Sequence, residues 1–234
     1  MRKSSRLLAA LLILAAAVSM TGCSLSQKSN ATTLAADGEG KLTETIVDTV
    51  SEGAYTAEEL TEYITKNVEA YNQGGSDVAM DSCEINGDKV TIVMTYKDFR
   101  TYSSFNQVPC FIGTIREAED AGYPVLSNVF KDKSGNAADM KVISERQKEW
   151  KVMVLAETMD VRTSDKILYA SENVDIKGRT NAEITSVMKQ STDPVEEVAS
   201  ASAAEEDAQQ TQNDNSGVNP YATVYEEYAY IIFK

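Results

Sequence analysis

Residues 80–96 read MDSCEINGDKVTIVMTY, and this stretch decides the fold because it predicts a β-hairpin. Asn86-Gly87 tolerates the positive φ angles that a type I′ turn needs. Every second residue from Val90 to Tyr96 is large and apolar, which predicts a strand with one buried face. The hairpin therefore indicates an antiparallel sheet.

A helix is predicted immediately before the hairpin. Thr56-Ala-Glu-Glu59 is a capping box, in which the Thr56 side chain can accept from the Glu59 amide. Apolar residues then follow at helical spacing, namely Leu60, Tyr63, Ile64, Val68 and Tyr71. Gly74-Gly75 ends the pattern, so this helix is amphipathic and packs through one face.

The sequence beyond the hairpin predicts one short helix and several strands. Thr114-Ile-Arg-Glu117 is a second capping box, which opens a helix to Ala121. Residues 152–156 are continuously apolar and predict a central strand. Shorter strand candidates follow at Met159–Arg162, Lys166–Ala170, Val174–Ile176 and Ala182–Val187. The predicted class is α+β, with a mainly antiparallel sheet, one amphipathic helix and one short helix.

The N-terminus is typical of a secretory signal peptide. Arg2, Lys3 and Arg6 precede an unbroken apolar run at residues 7–18. As a helix this run is about 18 Å long, too short for a hydrocarbon core of about 30 Å. Residues 1–22 are therefore predicted to be a signal peptide that is removed.

The end of that segment, Met20-Thr21-Gly22-Cys23, resembles a bacterial lipobox, with Met20 where leucine is commoner. The resemblance implies a diacylglyceryl group on the Cys23 thiol and signal cleavage between Gly22 and Cys23. It places the protein on the extracytoplasmic face of the cell membrane, with the membrane as a partner through the anchor. The alternative is ordinary secretion, with Cys23 as a chance thiol.

Composition divides the mature chain into four further parts. Residues 23–40 are small, polar and aperiodic, and predict a flexible tether. Residues 41–190 are predicted to form one α+β domain. Residues 191–220 predict a disordered acidic linker. Residues 221–234 are rich in tyrosine and predict a last strand at the domain edge; an exposed adhesive segment for a protein or glycan, and a disordered tail, are the alternatives.

The charge excludes several functions. The chain has 22 Lys+Arg against 36 Asp+Glu and a net charge of −14, which argues against nucleic-acid binding. Removal of residues 1–22 makes the net charge −17. The absence of histidine excludes Ser-His-Asp triads, Cys-His dyads and histidine-ligated zinc.

A second resemblance covers about half of the mature chain. It is carried by Tyr102-Ser-Ser-Phe105-Asn106, by residues 111–118 (FIGTIREA) and by Ala121-Gly122-Tyr123. These resemble a pattern in poorly characterised lipoproteins of anaerobic Gram-positive bacteria. The resemblance implies export and supplies no catalytic residues.

Cys83 and Cys110 are the two thiols that remain after lipidation. Export permits a disulfide between them, which could contribute about 3–4 kcal/mol by constraining the unfolded chain. The alternative is two buried thiols that behave as small apolar residues. Neither is expected to be a catalytic nucleophile, because the chain has no histidine base.

Two kinds of short motif in the chain resemble functional sites. Ser186-Val-Met-Lys189, Ser171-Glu-Asn173 and Lys133-Ser134-Gly135 resemble penicillin-binding motifs, but they occur in reversed order within a short stretch. Asp132, Ser134 and Asn136 begin like a calcium loop, which then lacks the required Gly and Glu. Neither the penicillin-binding motifs nor the calcium loop is predicted to be functional. No metal or cofactor is predicted.

The remaining acidic candidates are Glu117, Glu119 and Asp120 around the second capping box. Paired carboxylates can hydrolyse glycosides, but on a short surface helix such residues are usually solvated. The preferred interpretation is a binding or scaffolding domain at the cell envelope. The alternative is an envelope enzyme that uses a carboxylate pair or a Ser/Lys pair. A transporter's solute-binding component is disfavoured, because it usually has two α/β lobes.

Overall fold

The computed structural model describes residues 31–51, 53–187, 189–190, 224–225 and 228–234. The predicted signal peptide, the lipobox and most of the acidic stretch lie outside these residues. Among the described residues, no helix has both the length and the apolar character needed to cross a bilayer.

The structure has mixed α/β content and consists mainly of sheet. In chain order the elements are β1 (Thr33–Ala36), β2 (Leu42–Thr49), α1 (Ala57–Asn72), β3 (Val78–Asn86), β4 (Lys89–Tyr96), α2 (Phe99–Asn106), β5 (Cys110–Thr114), α3 (Ile115–Asp120), a 3₁₀ turn (Val125–Ser127), β6 (Phe130–Lys131), α4 (Met140–Glu145), β7 (Lys151–Leu155), β8 (Asp160–Arg162), β9 (Ile167–Ser171), β10 (Val174–Ile176), β11 (Asn181–Ile184), β12 (Lys189–Gln190), β13 (Val224–Tyr225) and β14 (Ala229–Phe233).

Twelve of these strands form two sheets. The larger sheet has the order β10-β11-β8-β1-β2-β4-β3, and the smaller has the order β5-β7-β14-β9-β6. The pairs are antiparallel except for β1 with β8, which is parallel, so the two sheets are mainly but not purely antiparallel. The described part holds four α-helices where two were predicted.

The hairpin at residues 80–96 is confirmed, but its turn differs from the prediction. Asn86 pairs with Lys89, so Gly87 and Asp88 form the turn. Gly87 has a φ of 66°, and Asp88 is not among the residues with positive φ. A type I′ turn requires positive φ at both central residues, and this turn therefore belongs to another class.

Both predicted capping boxes are confirmed. At α1 the Thr56 side chain accepts from the Glu59 amide, and Glu59 accepts from the Thr56 amide. Thr114 and Glu117 make the same pair of contacts at α3. Leu60, Ile64 and Val68 of α1 are buried against the larger sheet, as their spacing predicts.

The two sheets pack against each other, and α3 and α4 cover the other face of the smaller sheet. Residues of β7 alternate between two hydrophobic cores: Met153 and Leu155 lie between the sheets, and Val152 and Val154 face α3 and α4. Because both faces are covered, the strand reads as a continuous apolar run, and its predicted central position is confirmed.

Two predicted boundaries are corrected. The tether was expected to reach Gly40, but Thr33–Ala36 form β1 inside the larger sheet, where Leu34 is fully buried. The chain near its C-terminus was expected at a sheet edge. Instead β14 lies at the centre of the smaller sheet, between β7 and β9, with all five residues buried. Strands β12 and β13 pair with each other, so that Gln190 lies opposite Val224.

Candidate functional site

The most unusual group in the core is the carboxyl of Glu44. Glu44 lies on the inward face of β2, where Leu42 pairs with Tyr96 of β4. Glu44 and Tyr96 are therefore diagonal neighbours on one face of the sheet. The Tyr96 hydroxyl donates to Glu44 Oε2 at 2.7 Å, and both residues are buried.

A second acid and a second tyrosine lie beside this pair. The Tyr102 hydroxyl donates to Glu157 Oε2 at 3.1 Å. The Tyr96 and Tyr102 rings pack edge to face, with centroids 5.1 Å apart. We call Glu44, Tyr96, Tyr102 and Glu157 the acid–tyrosine cluster.

Local sequence explains how Tyr102 reaches the core. Asp98 caps α2, and its carboxylate accepts from the Thr101 amide at 2.8 Å. Hydrogen bonds from backbone amides hold the pKa of Asp98 below its ordinary value, although desolvation opposes them as the largest single effect. The cap starts α2 directly after β4, so Tyr102 lies in the second turn and points back at the sheet.

Burial dominates the electrostatics of the cluster. Desolvation raises the pKa of Glu44 from 4.5 to about 7, against the opposing hydrogen bond from Tyr96; the charge of Glu157 raises it further. Desolvation also raises the pKa of Tyr96 and of Tyr102 well above the ordinary value, with further increases from the charge of Glu44. The phenols therefore stay protonated and act as donors.

Asn106 and Cys110 border the cluster. Asn106 Nδ2 is buried without a hydrogen-bond partner in the described structure. The Asn106 side chain lies close enough to the Tyr96 phenol to oppose, in part, the rise in the pKa of Tyr96 that desolvation causes. Burial, with the charges of Glu44 and Glu157, raises the pKa of the Cys110 thiol, which is therefore not an activated nucleophile.

The arrangement can hold one proton whose loss occurs near neutral pH. Glu44, Tyr96 and Tyr102 are buried, so they are not placed to contact a large substrate. Ionising Glu44 puts a charge between the two sheets, beside the charge of Glu157. The cluster therefore makes the packing of the sheets sensitive to pH.

The residues predicted from sequence lie elsewhere. Gly22 and Cys23 fall outside the described residues. Cys83 and Cys110 are free thiols in this structure. Cys83 lies on β3, facing Thr61 of α1, and Cys110 begins β5 in the other sheet.

The carboxylates of the second capping box have local structural contacts. Glu117 accepts from the Thr114 amide at 2.7 Å, and this hydrogen bond holds the pKa of Glu117 below its ordinary value. Glu119 Oε1 accepts from the Leu126 amide at 2.6 Å, and Asp120 pairs with Arg116. These contacts shape the turn after α3 and do not form a paired acid site.

The serine, lysine and asparagine motifs also hold backbone in place. Ser171 Oγ accepts from the Tyr230 amide at 2.9 Å, and Asn173 Nδ2 donates to the Ser186 carbonyl at 2.9 Å. They tie β14 and the end of β11 to β9. The Lys133 ammonium donates to the Lys177 carbonyl at 3.3 Å. The side chain of Lys189 is not among those described.

The Asp132 carboxylate is occupied by its own loop. It accepts from the amides of Ser134 and Asn136 at 2.8 and 2.9 Å, which lowers its pKa together with the Asn136 side chain. In the described part of the chain, no three His, Cys, Asp or Glu residues are grouped so as to hold a metal ion.

Sequence reasoning missed the acid–tyrosine cluster, although two signals for it exist. Residues 42–49 (LTETIVDT) place Glu44 between Leu42 and Ile46 on the inward face of a strand. Asp98 is a capping residue three positions before Thr101. Neither signal shows which residues pair with Glu44 or Tyr102.

Comparison with known proteins finds no match for the chain. No family model matches the chain, and no curated protein or solved structure matches it. The resemblance to lipoproteins of anaerobic Gram-positive bacteria therefore stays a prediction.

Proposed function

We propose that the protein is a lipid-anchored domain on the extracytoplasmic face of the cell membrane, where it binds or scaffolds an envelope protein or a glycan. The observation that carries this proposal is the N-terminal sequence. A basic start and a short apolar run lead to Met20-Thr21-Gly22-Cys23. A diacylglyceryl thioether on Cys23, with a further acyl chain, gives a stable membrane anchor.

The anchor has to act against the charge of the protein. The mature net charge of −17 repels an anionic membrane surface. The acyl chains, rather than charge, therefore hold the protein at the membrane.

The test replaces the acceptor thiol. We expect Cys23→Ala to keep an uncleaved N-terminus and to lose the lipid adduct, whereas Cys83→Ala, which removes another thiol, is processed like the parent protein. Mass spectrometry of the N-terminal peptide and membrane flotation measure both. A Cys23→Ala protein that is still cleaved and still floats contradicts the proposal.

Binding or scaffolding also has a direct test. Crosslinking on intact cells should recover a specific envelope protein or glycan with the anchored chain, and the pure protein should show no turnover on peptidoglycan fragments or envelope glycans. Reproducible turnover would instead support an enzyme.

The enzyme alternative has one observation in its favour. Glu44, with its raised pKa, lies near Glu157, and a carboxyl with a raised pKa beside a second acid is a candidate for acid–base catalysis. If this pair were catalytic, Glu44→Gln would abolish turnover on envelope glycans and Glu84→Gln, on an exposed position of β3, would not. The other predicted enzyme, with a Ser/Lys pair such as Ser186 and Lys189, is not tested by the structure, since the Lys189 side chain lies outside the described ones.

A further inference from the structure

Hydrogen bonds fix Thr32, at the beginning of the described chain, to the larger sheet. Thr32 Oγ1 donates to the Val47 carbonyl and accepts from the Val47 amide, at 3.2 and 3.1 Å. The Thr32 carbonyl accepts from the Asp160 amide at 3.0 Å. The described chain therefore begins, at Ala31, beside the second half of β2.

One end of the larger sheet extends past this point. Thr33 pairs with Thr45, whereas β2 continues to Thr49, where it pairs with Lys89 of β4. The β3–β4 turn lies at the same level, and the Val50 amide donates to the Asp88 carbonyl at 2.7 Å. We call this turn and the loop from Thr49 to Tyr55 the proximal tip. At about 3.3 Å per residue, it begins about 7 Å beyond Ala31.

Tyr55 lies at the proximal tip with its side chain in solvent. It is 56% exposed, the most exposed of the tyrosines among the described residues. Thr61 of α1 contacts Cys83, which pairs with Ile92, and Ile92 also pairs with Ile46. Helix α1 begins at Ala57, four residues before Thr61, so its N-terminal end lies about 6 Å further along the axis, and Tyr55 precedes it.

The linker to a lipid on Cys23 is short compared with these distances. Eight residue steps separate Cys23 from Ala31, and they span at most about 28 Å when fully extended. A flexible chain of this length spans about 15 Å on average. Because the proximal tip begins about 7 Å beyond Ala31, it is the part of the larger sheet that a linker of this span brings nearest to the anchored residue.

We propose that the proximal tip contacts the headgroup zone of the bilayer, with Tyr55 as its aromatic contact. This inference rests on the proposed lipid anchor at Cys23. Tyrosine suits the membrane interface, because its ring is apolar and its hydroxyl remains hydrated. The opposite end of the larger sheet, at the turn of residues 37–40 between β1 and β2, then points away from the membrane and is available to a partner.

Inversion of the domain is unfavourable. The turn at Gly38 and Glu39 lies about 20 Å from Ala31 along the strands. Placing that turn on the bilayer would lift Ala31 by the same distance and would require a linker close to full extension. Loss of chain entropy opposes this arrangement.

The charge of the tip indicates which lipids it contacts best. The described residues at the tip and directly beside it include the acids Asp48, Glu58, Glu59 and Asp88, against Lys89. A zwitterionic surface such as phosphatidylcholine does not repel these acids, whereas an anionic surface does. Added anionic lipid should therefore weaken the contact at low ionic strength, and salt should restore it.

The experiment uses the lipidated full-length protein on phosphatidylcholine vesicles that contain brominated acyl chains. Tyr55→Trp reports on the proximal tip, and Glu39→Trp is the matched control at the distal turn. Trp150 is buried in both proteins and supplies the background. We expect brominated lipid to quench the added fluorescence of Tyr55→Trp at least about twice as strongly as that of Glu39→Trp.

A third protein tests the linker argument. Twenty Gly-Ser residues inserted between Asn30 and Ala31 double the mean span of the linker to about 30 Å. The preference for quenching at position 55 should then fall by at least half. Equal quenching of the two tryptophans in proteins that float with the vesicles overturns the tip contact and leaves the anchor intact. Failure of the parent protein to float overturns the anchor, and with it the contact.

Discussion

The two sheets differ in how many of their faces are covered. In the larger sheet, β4 alternates strictly between partly exposed and buried residues, because its outer face meets solvent. In the smaller sheet, all five residues of β14 are buried, because the other sheet covers one face and helices cover the other. The pattern of a strand thus reports the number of covered faces more reliably than its place in the chain.

Of the changes that test this difference between the sheets, removal of β14 is expected to reduce stability the most. A chain that ends at residue 227 loses the central strand of the smaller sheet and exposes the edges of β7 and β9. We expect no cooperative unfolding transition in urea, measured by circular dichroism and by Trp150 fluorescence. Deletion of Lys234 alone is the control. A cooperative transition in the shortened chain would show that the sheets fold independently.

Shortening one side chain to alanine in each sheet should give the next largest difference in the free energy of unfolding. Ile231→Ala removes a fully buried side chain from β14, and we expect a loss of about 2–5 kcal/mol in the free energy of unfolding. Val93→Ala removes an apolar side chain from the outer face of β4, where we expect a loss of less than about 1 kcal/mol. Urea denaturation measures both. Equal losses would mean that the outer face is covered.

The pH dependence should identify the contribution of Glu44. Glu44 loses its proton near pH 4.5 in the unfolded chain and near pH 7 in the fold. Between these values the folded state holds a proton that the unfolded state lacks. Its stabilising contribution is therefore complete below pH 4.5 and is lost as the pH rises through 7. The loss is of the order of 3 kcal/mol.

Glu44→Gln removes this titration. We expect the free energy of unfolding of the variant to depend less on pH between 5 and 8 than that of the parent protein. Glu84→Gln, at an exposed position of β3 in the same sheet, is the control and should keep the parent slope. If Glu44→Gln also keeps the parent slope, the carboxyl of Glu44 does not titrate in this range.

Removing a helix cap should have the smallest effect on the free energy of unfolding. The effect should be the same for α1, beside the larger sheet, and for α3, beside the smaller one. Thr56→Ala and Thr114→Ala each remove a side-chain acceptor from the first turn of a helix. We expect each to lower the free energy of unfolding by about 1 kcal/mol, because a cap is a local contact. Thr49→Ala, at an exposed strand end, is the control. A much larger loss at Thr114 would mean that α3 also determines the packing of the smaller sheet.

Local signals in the sequence were sufficient for the elements that depend on near neighbours. The two capping boxes, the helical spacing of α1 and the alternation in β4 involve residues a few positions apart, and each has its predicted structure. The hairpin was also predicted, although its turn lies one residue later than expected. Helix α2 was missed despite its Asp98 cap, because eight residues hold little periodicity.

The sequence by itself determined the helices with strong caps, the alternating strands, the exclusion of histidine chemistry and the prediction of a lipid anchor. Only the tertiary structure decided that β1 joins the larger sheet, that β14 lies at the centre of the smaller one, and that Glu44 meets Tyr96. Glu44 and Tyr96 are 52 residues apart, and Tyr102 and Glu157 are 55 apart. Contacts at such separations depend on the pairing of whole strands and on burial by both layers, and no short window of sequence contains that information.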